Sequence, residues 1–369
     1  MTAPRRVSAQ RARAGFRSIT RVSSRFTTLP SSRSAKPGRI LRTDSGSRES
    51  GTSALDLRGE VDALPARVLV HEPSATGVFR RLRRTAPSEL EARYLFRAVP
   101  DPEAFAREQD ALTAALRSEG TEIVYLRDVV GSRARRHLEE NPNHVYTRDS
   151  AITLPWLPNA FIRGAMRKPI RRREPDVMAS ALEALGLDEL VAMPAGSFLE
   201  GGDVIPIVLN GKRTLLVGFG PRTAEDTVAT LYRELAPEAL DQLVAIELVP
   251  ERMNLDGALV PVAHDVVLVD PSSIVRSFLL DERGRRGVDV VELLRLKGFQ
   301  PLVVTRREAT ALQACNCVCL GEGRVVAYDL CGRALDELRD RDVDVLPVPG
   351  SELIKGTGGP RCMTRPLYR

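Results

Sequence analysis

The chain repeats one order of predicted elements: strand, strand, helix, strand. This order recurs about every 50–60 residues across residues 66–369, a period typical of radial or stacked arrays of supersecondary units. About five such units would fill that stretch. A doubly wound sheet would alternate in a similar way, so the repeat alone leaves two α/β architectures open.

The first unit shows how the elements are assigned. Residues 67–71 predict a buried strand, and residues 121–126 predict a second strand. Between them, residues 102–119 predict a helix with Phe105 and Leu112 on one face, and Gly120 follows at its end.

Residues 1–60 differ from the rest of the chain. They are rich in Arg, Ser, Thr and Gly and lack sustained apolar periodicity, which is typical of a disordered arm. Residues 1–43 contain ten Arg, one Lys and no acidic residue, so the remaining chain has 43 basic and 48 acidic residues. The formal charge of +6 therefore belongs to the arm, and a body of residues 61–369 is not expected to bind nucleic acid. The arm fits a functionless tail, a targeting segment or a polyanion-binding tether.

Composition excludes several protein classes. No apolar run reaches the length of a membrane span, so no membrane partner is expected. Five cysteines do not indicate a disulfide scaffold and favour free thiols in a reducing compartment, from which we predict a cytoplasmic protein. Cys315, Cys317 and Cys319 alternate like one buried strand face and lack further ligands at metal-site spacing. With no phosphate-binding loop or dinucleotide fingerprint, we expect no metal and no cofactor.

The last fourteen residues carry the strongest chemical signal. A glycine-rich loop, Gly356-Thr-Gly-Gly359, is followed by Pro360, Arg361 and Cys362. Glycines allow close approach of the backbone to a ligand. A cation beside a thiol lowers its pKa, so the pattern predicts that Arg361 activates Cys362 as a nucleophile. A buried structural cysteine is the alternative.

Three acidic motifs lie at predicted strand edges upstream of this loop. They are Asn143-His-Val-Tyr-Thr-Arg-Asp149, Glu200-Gly-Gly-Asp203 and Met253-Asn-Leu-Asp256. Any one of them would be an ordinary solvated cap. A cationic, planar ligand such as a guanidinium would need several such carboxylates around it.

Together with the tail, these motifs resemble the arginine deiminase family of the guanidine-modifying (amidinotransferase, or pentein) superfamily. The resemblance covers roughly residues 66–369 and includes six ordered stretches: Val68-Leu-Val-His-Glu-Pro73, Val124-Tyr-Leu-Arg-Asp128, Arg171-Arg-Arg-Glu174, Gly218-Phe-Gly-Pro-Arg-Thr223, Val325-Val-Ala-Tyr-Asp329 and Gly358-Gly-Pro-Arg-Cys-Met363. It implies a five-bladed α/β propeller of ββαβ units around one central site.

The resemblance also implies roles for individual residues. Cys362 would attack the guanidinium carbon, Asp149 and Asp256 would hold the guanidinium, and Glu200 would join the proton relay. The residues implied to bind the rest of the substrate are Asn143, Tyr146, Arg171, Asp203, Arg222 and Gly358. The implied reaction is cysteine-dependent hydrolysis of arginine or a related guanidino compound to a citrulline-type product and ammonia.

Two positions depart from the family pattern. Asn254 stands where the family has a histidine that exchanges protons, and asparagine has none to exchange. His144 or Glu200 would have to compensate, whereas His71, His137 and His264 are predicted to be structural or solvated. Thr357 replaces an arginine of the family's glycine-rich loop, so a modified arginine, another guanidino acid or a peptide-borne arginine would fit as substrate.

Three interpretations follow. The first is a guanidino hydrolase, the second an amidinotransferase that uses the same covalent intermediate, and the third a weakened guanidino-binding protein, which Asn254 favours. A small guanidino compound is the expected partner in each case. A homo-oligomer is expected only from its general frequency among proteins.

Overall fold

The computed structural model describes residues 57–369. Seventeen strands lie in this part of the chain: β1 (Arg67–Val70), β2 (Glu122–Tyr125), β3 (Ala151–Leu154), β4 (Leu157–Arg163), β5 (Asp188–Val191), β6 (Val204–Leu209), β7 (Lys212–Phe219), β8 (Gln242–Leu248), β9 (Leu259–Pro261), β10 (Val266–Val269), β11 (Ile274–Asp281), β12 (Gly284–Val288), β13 (Gln300–Val303), β14 (Val318–Cys319), β15 (Arg324–Tyr328), β16 (Asp344–Val348) and β17 (Arg365–Leu367). The α-helices of the same residues are α1 (Phe79–Leu82), α2 (Pro87–Tyr94), α3 (Pro102–Ser118), α4 (Leu126–Val129), α5 (Ser132–Leu138), α6 (Glu174–Ala184), α7 (Glu225–Leu235), α8 (Val290–Leu296), α9 (Arg306–Ala311) and α10 (Gly332–Arg339).

The strands of residues 57–369 form five separate sheets. Their orders are β17-β1-β2, β3-β4-β5, β12-β11-β8-β7-β6, β13-β10-β9 and β14-β15-β16. In every sheet one strand pairs antiparallel with a first neighbour and parallel with a second, as β4 does with β3 and β5. The mixed α/β class is therefore confirmed, and separate sheets exclude a single doubly wound sheet. The count of five propeller blades stays a prediction.

The chain closes on its own first sheet. The last strand, β17, pairs antiparallel with β1, and Leu367 lies opposite Arg67. The C-terminal loop that precedes β17 is thereby held against the N-terminal part of the body. The repeat did not predict the β11–β12 hairpin, which extends the third sheet as a consecutive antiparallel pair.

Helix α3 illustrates how the sequence builds these units. The Asp101 side chain accepts hydrogen bonds from the backbone N–H groups of Glu103 and Ala104, and Pro102 occupies the first turn, as expected at a helix start. Phe105 and Leu112 are buried with Val68 of β1 in one apolar cluster. Their spacing of seven residues, two helical turns, produces this single buried face.

The predicted boundary between arm and body needs a correction. Disorder was predicted for residues 1–60, of which residues 1–56 lie outside the described part of the chain. Glu60, however, is packed in the body with only 3% of its surface exposed. It contacts Arg148 and Arg361, so the body includes at least residue 60.

No helix among residues 57–369 combines the length and the apolar character that a bilayer crossing requires.

Candidate active site

In each of the five sheets, one edge strand is preceded by a short turn or loop that carries one polar site residue. Asp149 precedes β3, Asp203 precedes β6, Asp256 precedes β9, Asn316 precedes β14 and Cys362 precedes β17. The three aspartates lie on single 3₁₀ turns, Thr147–Ser150, Gly201–Asp203 and Leu255–Gly257.

These five turns contact one another in chain order. Asp149 accepts a hydrogen bond from the N–H of Gly202 at 3.0 Å, and Asp203 accepts one from the N–H of Leu255 at 2.8 Å.

The Asn316 amide continues the series with a bond to the Asp256 carbonyl at 3.3 Å. The last contact returns to the first turn, because the N–H of Arg148 donates to the Cys362 carbonyl at 3.1 Å. The site residues therefore form a closed ring.

Cys362 is fixed by two neighbours in this ring. Asn316 donates from Nδ2 to Cys362 Sγ at 3.1 Å and accepts from the Cys362 N–H at 3.0 Å. Asp256 Oδ2 lies 3.4 Å from the same sulfur. A hydrogen bond to sulfur favours the thiolate, whereas the nearby carboxylate favours the thiol.

Arg361 favours the Cys362 thiolate, as the sequence predicts, but other groups outweigh it and the net shift of the Cys362 pKa is upward. Burial raises the pKa of the Cys362 thiol well above its ordinary value, and the negative charges of Asp256 and Asp149 raise it further. The Arg361 side chain is fully buried and binds Glu60 at 2.9 Å and Asp256 at 3.0 Å. Its charge is therefore largely balanced by carboxylates, and its effect on Cys362 is outweighed by burial and by the nearby aspartates.

Asp149 lies in a buried network with Arg171. The Arg171 guanidinium binds Asp149 at 2.6 Å and Glu174 at 2.7 Å, and a third N–H donation goes to the Tyr146 carbonyl at 3.3 Å. Its Nε also donates to Glu174 at 3.0 Å, so all three guanidinium nitrogens are engaged. Arg171 orients Asp149 in this state, and its assignment to the substrate carboxylate stays a prediction.

A second network joins Arg222, Glu200, Asn254 and Asp203. Arg222 binds Glu200 at 3.0 Å. The Asn254 amide lies 3.3 Å from Glu200 Oε2 and 3.1 Å from Asp203 Oδ2. Burial raises the pKa of Asp203 well above its ordinary value, and the charge of Glu200 adds to this effect. Asn254 thus bridges Glu200 to an aspartate whose protonated form is favoured by burial.

A cavity of about 30 Å³ adjoins Cys362. Its walls include eight of the predicted site residues: Asn143, Tyr146, Asp149, Arg171, Arg222, Asn254, Gly358 and Cys362. Glu200 and Asp203 do not line this cavity and act on it through Asn254. Asp256 lines a second cavity, described next.

The second cavity, of about 50 Å³, reaches Cys362 from another direction. Its walls include Arg97, Glu251, Asp256, Thr310 and Asn316. Met253, Asn254, Thr357 and Cys362 line both spaces, so they separate the two cavities at the sulfur. Each space has room for about one or two waters and is smaller than a guanidino acid.

The glycine-rich loop forms a wall of both cavities. A side chain at Gly358 would come within 2.3 Å of the Tyr146 ring, so glycine is needed for this close packing. Thr357, at the departure from the family arginine, has a φ of +72°, a left-handed conformation unfavourable for a β-branched residue. The loop segment that covers Cys362 therefore contains a strained residue, Thr357, which lines both cavities.

The histidines do not replace the missing family histidine. His144 is buried with its Nε2 atom 2.7 Å from Nδ1 of His137, and its ring packs edge-on against His71. It does not line either cavity beside Cys362. His264 lies on the surface, with 81% of its side chain exposed. The hypothesis that His144 supplies a proton at Cys362 therefore has no geometric basis.

The remaining cysteines are buried thiols. Cys315, Cys317 and Cys319 are all buried, as predicted, but only Cys319 lies on a strand, β14. The prediction of one strand face for all three is wrong, because Cys315 lies in a turn and the chain becomes extended only at Val318. Burial raises the pKa of each thiol. Among residues 57–369, no three His, Cys, Asp or Glu side chains are arranged to hold a metal ion.

The sequence interpretation missed three residues of the site: Asn316, Glu60 and Arg148. Asn316 is neutral and lies between Cys315 and Cys317, so it carried no acidic signal. It nevertheless precedes the first strand of its unit, as the aspartates do. That shared position is a signal the repeat could have supplied. Glu60 and Arg148 are recognisable only through their contacts with Arg361.

Comparison with known sequences decides the family. The sequence profile described as arginine deiminase matches residues 132–369. The chain belongs to the arginine deiminase family. It is 30% identical over 194 residues to arginine deiminase of Mycoplasma capricolum subsp. capricolum, an alignment that spans 46% of this chain and 47% of that protein. The match thus covers about half the length of this curated relative.

Solved structures share the fold of this arginine deiminase family member. The N-terminal domain of ArgZ bound to product, an arginine dihydrolase from the ornithine-ammonia cycle in cyanobacteria, superposes with a TM-score of 0.61 at 16% identity, over 84% of this chain and 98% of that one. A dimethylarginine dimethylaminohydrolase adduct with 4-chloro-2-hydroxymethylpyridine superposes with a TM-score of 0.58 at 16% identity, over 82% and 100%. At these identities the similarity establishes the fold alone.

Replacing Asn316 with alanine is expected to reduce the reactivity of Cys362. The change removes the donor to Sγ and the acceptor that holds the Cys362 N–H. A hydrogen bond to a charged group contributes about 1.5–3 kcal/mol, so we expect any Cys362-dependent turnover to fall by about 10–100-fold. The pH midpoint of Cys362 alkylation should move upward, because the thiolate loses a donor. Cys317→Ser is the matched control, and equal pH profiles for both variants would remove the assigned role of Asn316.

Proposed function

We propose that this protein hydrolyses the guanidino group of arginine or a related compound through a covalent intermediate on Cys362. The single observation that carries the proposal is the closed ring of turns, which places Cys362 between two carboxylates. Asp256 lies 3.4 Å from the sulfur, and Asp149 lines the cavity of about 30 Å³ that Cys362 also lines. A nucleophile beside carboxylates suits a planar cationic carbon centre. Family membership supports the same chemistry.

The electrostatics around Cys362 favour a cation as ligand. Asp149 and Asp256 both act on Cys362 and raise the pKa of its thiol, so a negative field surrounds the sulfur. A guanidinium that enters between them would neutralise this field and lower the pKa of Cys362. Substrate binding would then generate the thiolate that attacks it.

The reaction balances without a cofactor. Cys362 Sγ forms a bond to the guanidinium carbon, and the C–N bond to a terminal nitrogen breaks, with one proton leaving on ammonia. The product of this step is an amidino-thioether on Cys362. Water then adds to the same carbon and the C–S bond breaks; one water proton returns to Cys362 Sγ, the other passes to solvent, and the ureido product leaves. The covalent route divides one difficult displacement into two.

Proton transfer would depend on the Glu200–Asn254–Asp203 group. Asn254 cannot exchange a proton, but its amide lines both cavities and lies within hydrogen-bond distance of Glu200 and Asp203. A water beside Asn254 would connect these acids to leaving ammonia. The absence of an imidazole there implies slow turnover, since general acid–base catalysis contributes about 10²–10⁴-fold.

The cavity also indicates how the rest of the substrate would be held. Among the described residues, Asn143 Oδ1 and the Tyr146 hydroxyl have no hydrogen-bond partner, and both residues line the cavity of about 30 Å³. They are available to a substrate amine or carboxylate. Since typical ligand pockets measure about 300–1,000 Å³, the glycine-rich loop around Thr357 must move outward to admit substrate.

Product analysis tests the proposal directly. Purified protein would be incubated with L-arginine, a methylated arginine, a guanidino acid and an arginine-containing peptide, and ammonia and ureido product would be followed. Intact mass spectrometry would detect an amidino adduct. We expect slow product formation from at least one compound, and neither product nor adduct with Cys362→Ala. No product and no adduct with any compound would refute the proposal and favour a binding protein.

The second cavity favours one alternative function. An amidinotransferase needs a separate path by which an amine reaches the adduct, and the space lined by Glu251 and Asp256 reaches Cys362 away from the substrate cavity. The Glu251 carboxylate is exposed at this space and suits an ammonium group. Adduct that persists in water and disappears when a primary amine is added would identify the transferase.

A further inference from the structure

Glu60 lies far from the acidic motifs in sequence but is bound to the residue that precedes the nucleophile. Its carboxylate binds Arg361 with two hydrogen bonds, Nε to Oε1 at 3.1 Å and Nη2 to Oε2 at 2.9 Å. Glu60 and Arg361 are 3% and 0% exposed, so water does not weaken this bidentate pair. The proposed catalytic steps assign no role to Glu60.

Arg148 links the same carboxylate to the backbone of the nucleophile loop. Its Nη1 binds Glu60 at 3.1 Å, and its Nε donates to the Arg361 carbonyl at 3.1 Å. Its backbone N–H donates to the Cys362 carbonyl at 3.1 Å. Glu60 thus orients one arginine that holds the main chain of Arg361 and Cys362.

Arg361 carries the connection to the reacting atoms. In addition to its bonds to Glu60, Arg361 donates from Nη1 to Asp256 Oδ2 at 3.0 Å. That oxygen lies 3.4 Å from Cys362 Sγ. A third buried cation, Arg365, donates to the Arg148 carbonyl. Burial by itself raises the pKa of Glu60, but the charges of Arg148 and Arg361 outweigh it and lower the pKa to about 2. Glu60 is therefore ionised at every pH of enzymatic interest.

We infer that Glu60 is a positioning residue for the nucleophile. Through its contacts with Arg361 and Arg148, it aligns Asp256 and Cys362. The inference rests on the proposed function for its effect on turnover. Its effect on the cysteine thiol does not depend on turnover. Without Glu60, the Arg361 guanidinium would lose its bidentate partner. Its positive charge would then act on Asp256 and on the Cys362 thiolate alone.

Glu60→Gln separates this role from a merely structural one. We expect kcat to fall by about 100-fold with KM little changed, because misplacement of reacting groups by about 1 Å has an effect of that size. The pH midpoint of Cys362 alkylation by iodoacetamide should move down by about one unit, as Arg361 is released toward the sulfur. Asp149, Asp256 and Arg361 are the charged groups that act on Cys362, and none of them is changed. Cys362→Ala corrects for alkylation of the other cysteines.

Two further variants keep the test decisive. Glu60→Asp retains the charge but shortens the reach, so kcat should fall while the alkylation midpoint stays near that of the wild type. Asp62→Asn removes a charge two residues away on the same partly exposed segment and should change neither quantity. Wild-type kcat and an unchanged alkylation midpoint in Glu60→Gln would overturn the inference. If the wild type shows no turnover, the proposed function fails, and the alkylation profiles still test Glu60.

Discussion

Replacing Asn254 with histidine is expected to raise the rate of guanidino hydrolysis by about 10²–10⁴-fold, the contribution of a well-placed general acid–base group. Asn254 lines both cavities beside Cys362, so an imidazole there can reach leaving ammonia and attacking water. Glu200 and Asp203 lie 3.3 and 3.1 Å from the Asn254 amide and would stabilise an imidazolium. The variant should gain most in the step that releases the adduct.

Single-turnover experiments on Asn254→His would separate the two steps. Adduct formation and decay on Cys362 are followed by intact mass after rapid mixing with L-arginine. Asn254→Gln is the control, since it changes size without adding an exchangeable proton. If the histidine and glutamine variants decay at the same rate, proton transfer at this position does not limit release, and the slow turnover we expect has another cause.

Much of the secondary structure was predictable, because the apolar periods of the sequence match the strands and helices that the sheets contain. Strand β1 and helix α3 end within one residue of their predicted limits, because a short apolar run and a helical apolar period decide them. The β11–β12 hairpin was not predicted, because β12 reads Gly-Arg-Arg-Gly-Val and is mostly exposed. An exposed edge strand carries little apolar signal and depends on its pairing with β11.

The acidic members of the site were predictable for a different reason. Asp149, Asp203 and Asp256 each stand one to three residues before a strand, and carboxylates at strand ends are visible in one sequence. Asn316 occupies the equivalent place in its unit but is neutral and lies between cysteines. Only the ring of contacts reveals that it binds Cys362 Sγ.

The charge state of the nucleophile could not be predicted from neighbouring residues. Arg361 adjoins Cys362 in sequence, yet its guanidinium points to Glu60 and Asp256. Glu60 is 301 residues away along the chain. Long-range ion pairs of this kind depend on which loops the closed ring brings together, and sequence spacing does not encode them.

Replacing Asp256 with asparagine is expected to change turnover and thiol reactivity in opposite directions. Loss of one of the two carboxylates that would hold the guanidinium should lower turnover by about 10²–10³-fold, as for other charged groups that stabilise a transition state. The same change removes a negative charge 3.4 Å from Cys362 Sγ. That charge raises the pKa of Cys362, so its removal lowers the pKa and increases the thiolate fraction near pH 8.

The alkylation midpoint of Asp256→Asn should therefore move to lower pH by about one unit or more. Asp270→Asn is the matched control, because it also removes a buried carboxylate bound to an arginine, Arg252, at 3.2 Å. Loss of folding in both variants would show as a lower melting temperature in each, whereas the opposed changes belong to Asp256 alone. A variant that loses turnover and also alkylates more slowly would contradict the account, because Asp256 would then be promoting the thiolate. The sign of this shift decides whether Cys362 is activated by the protein alone or, as we propose, by the arriving cation.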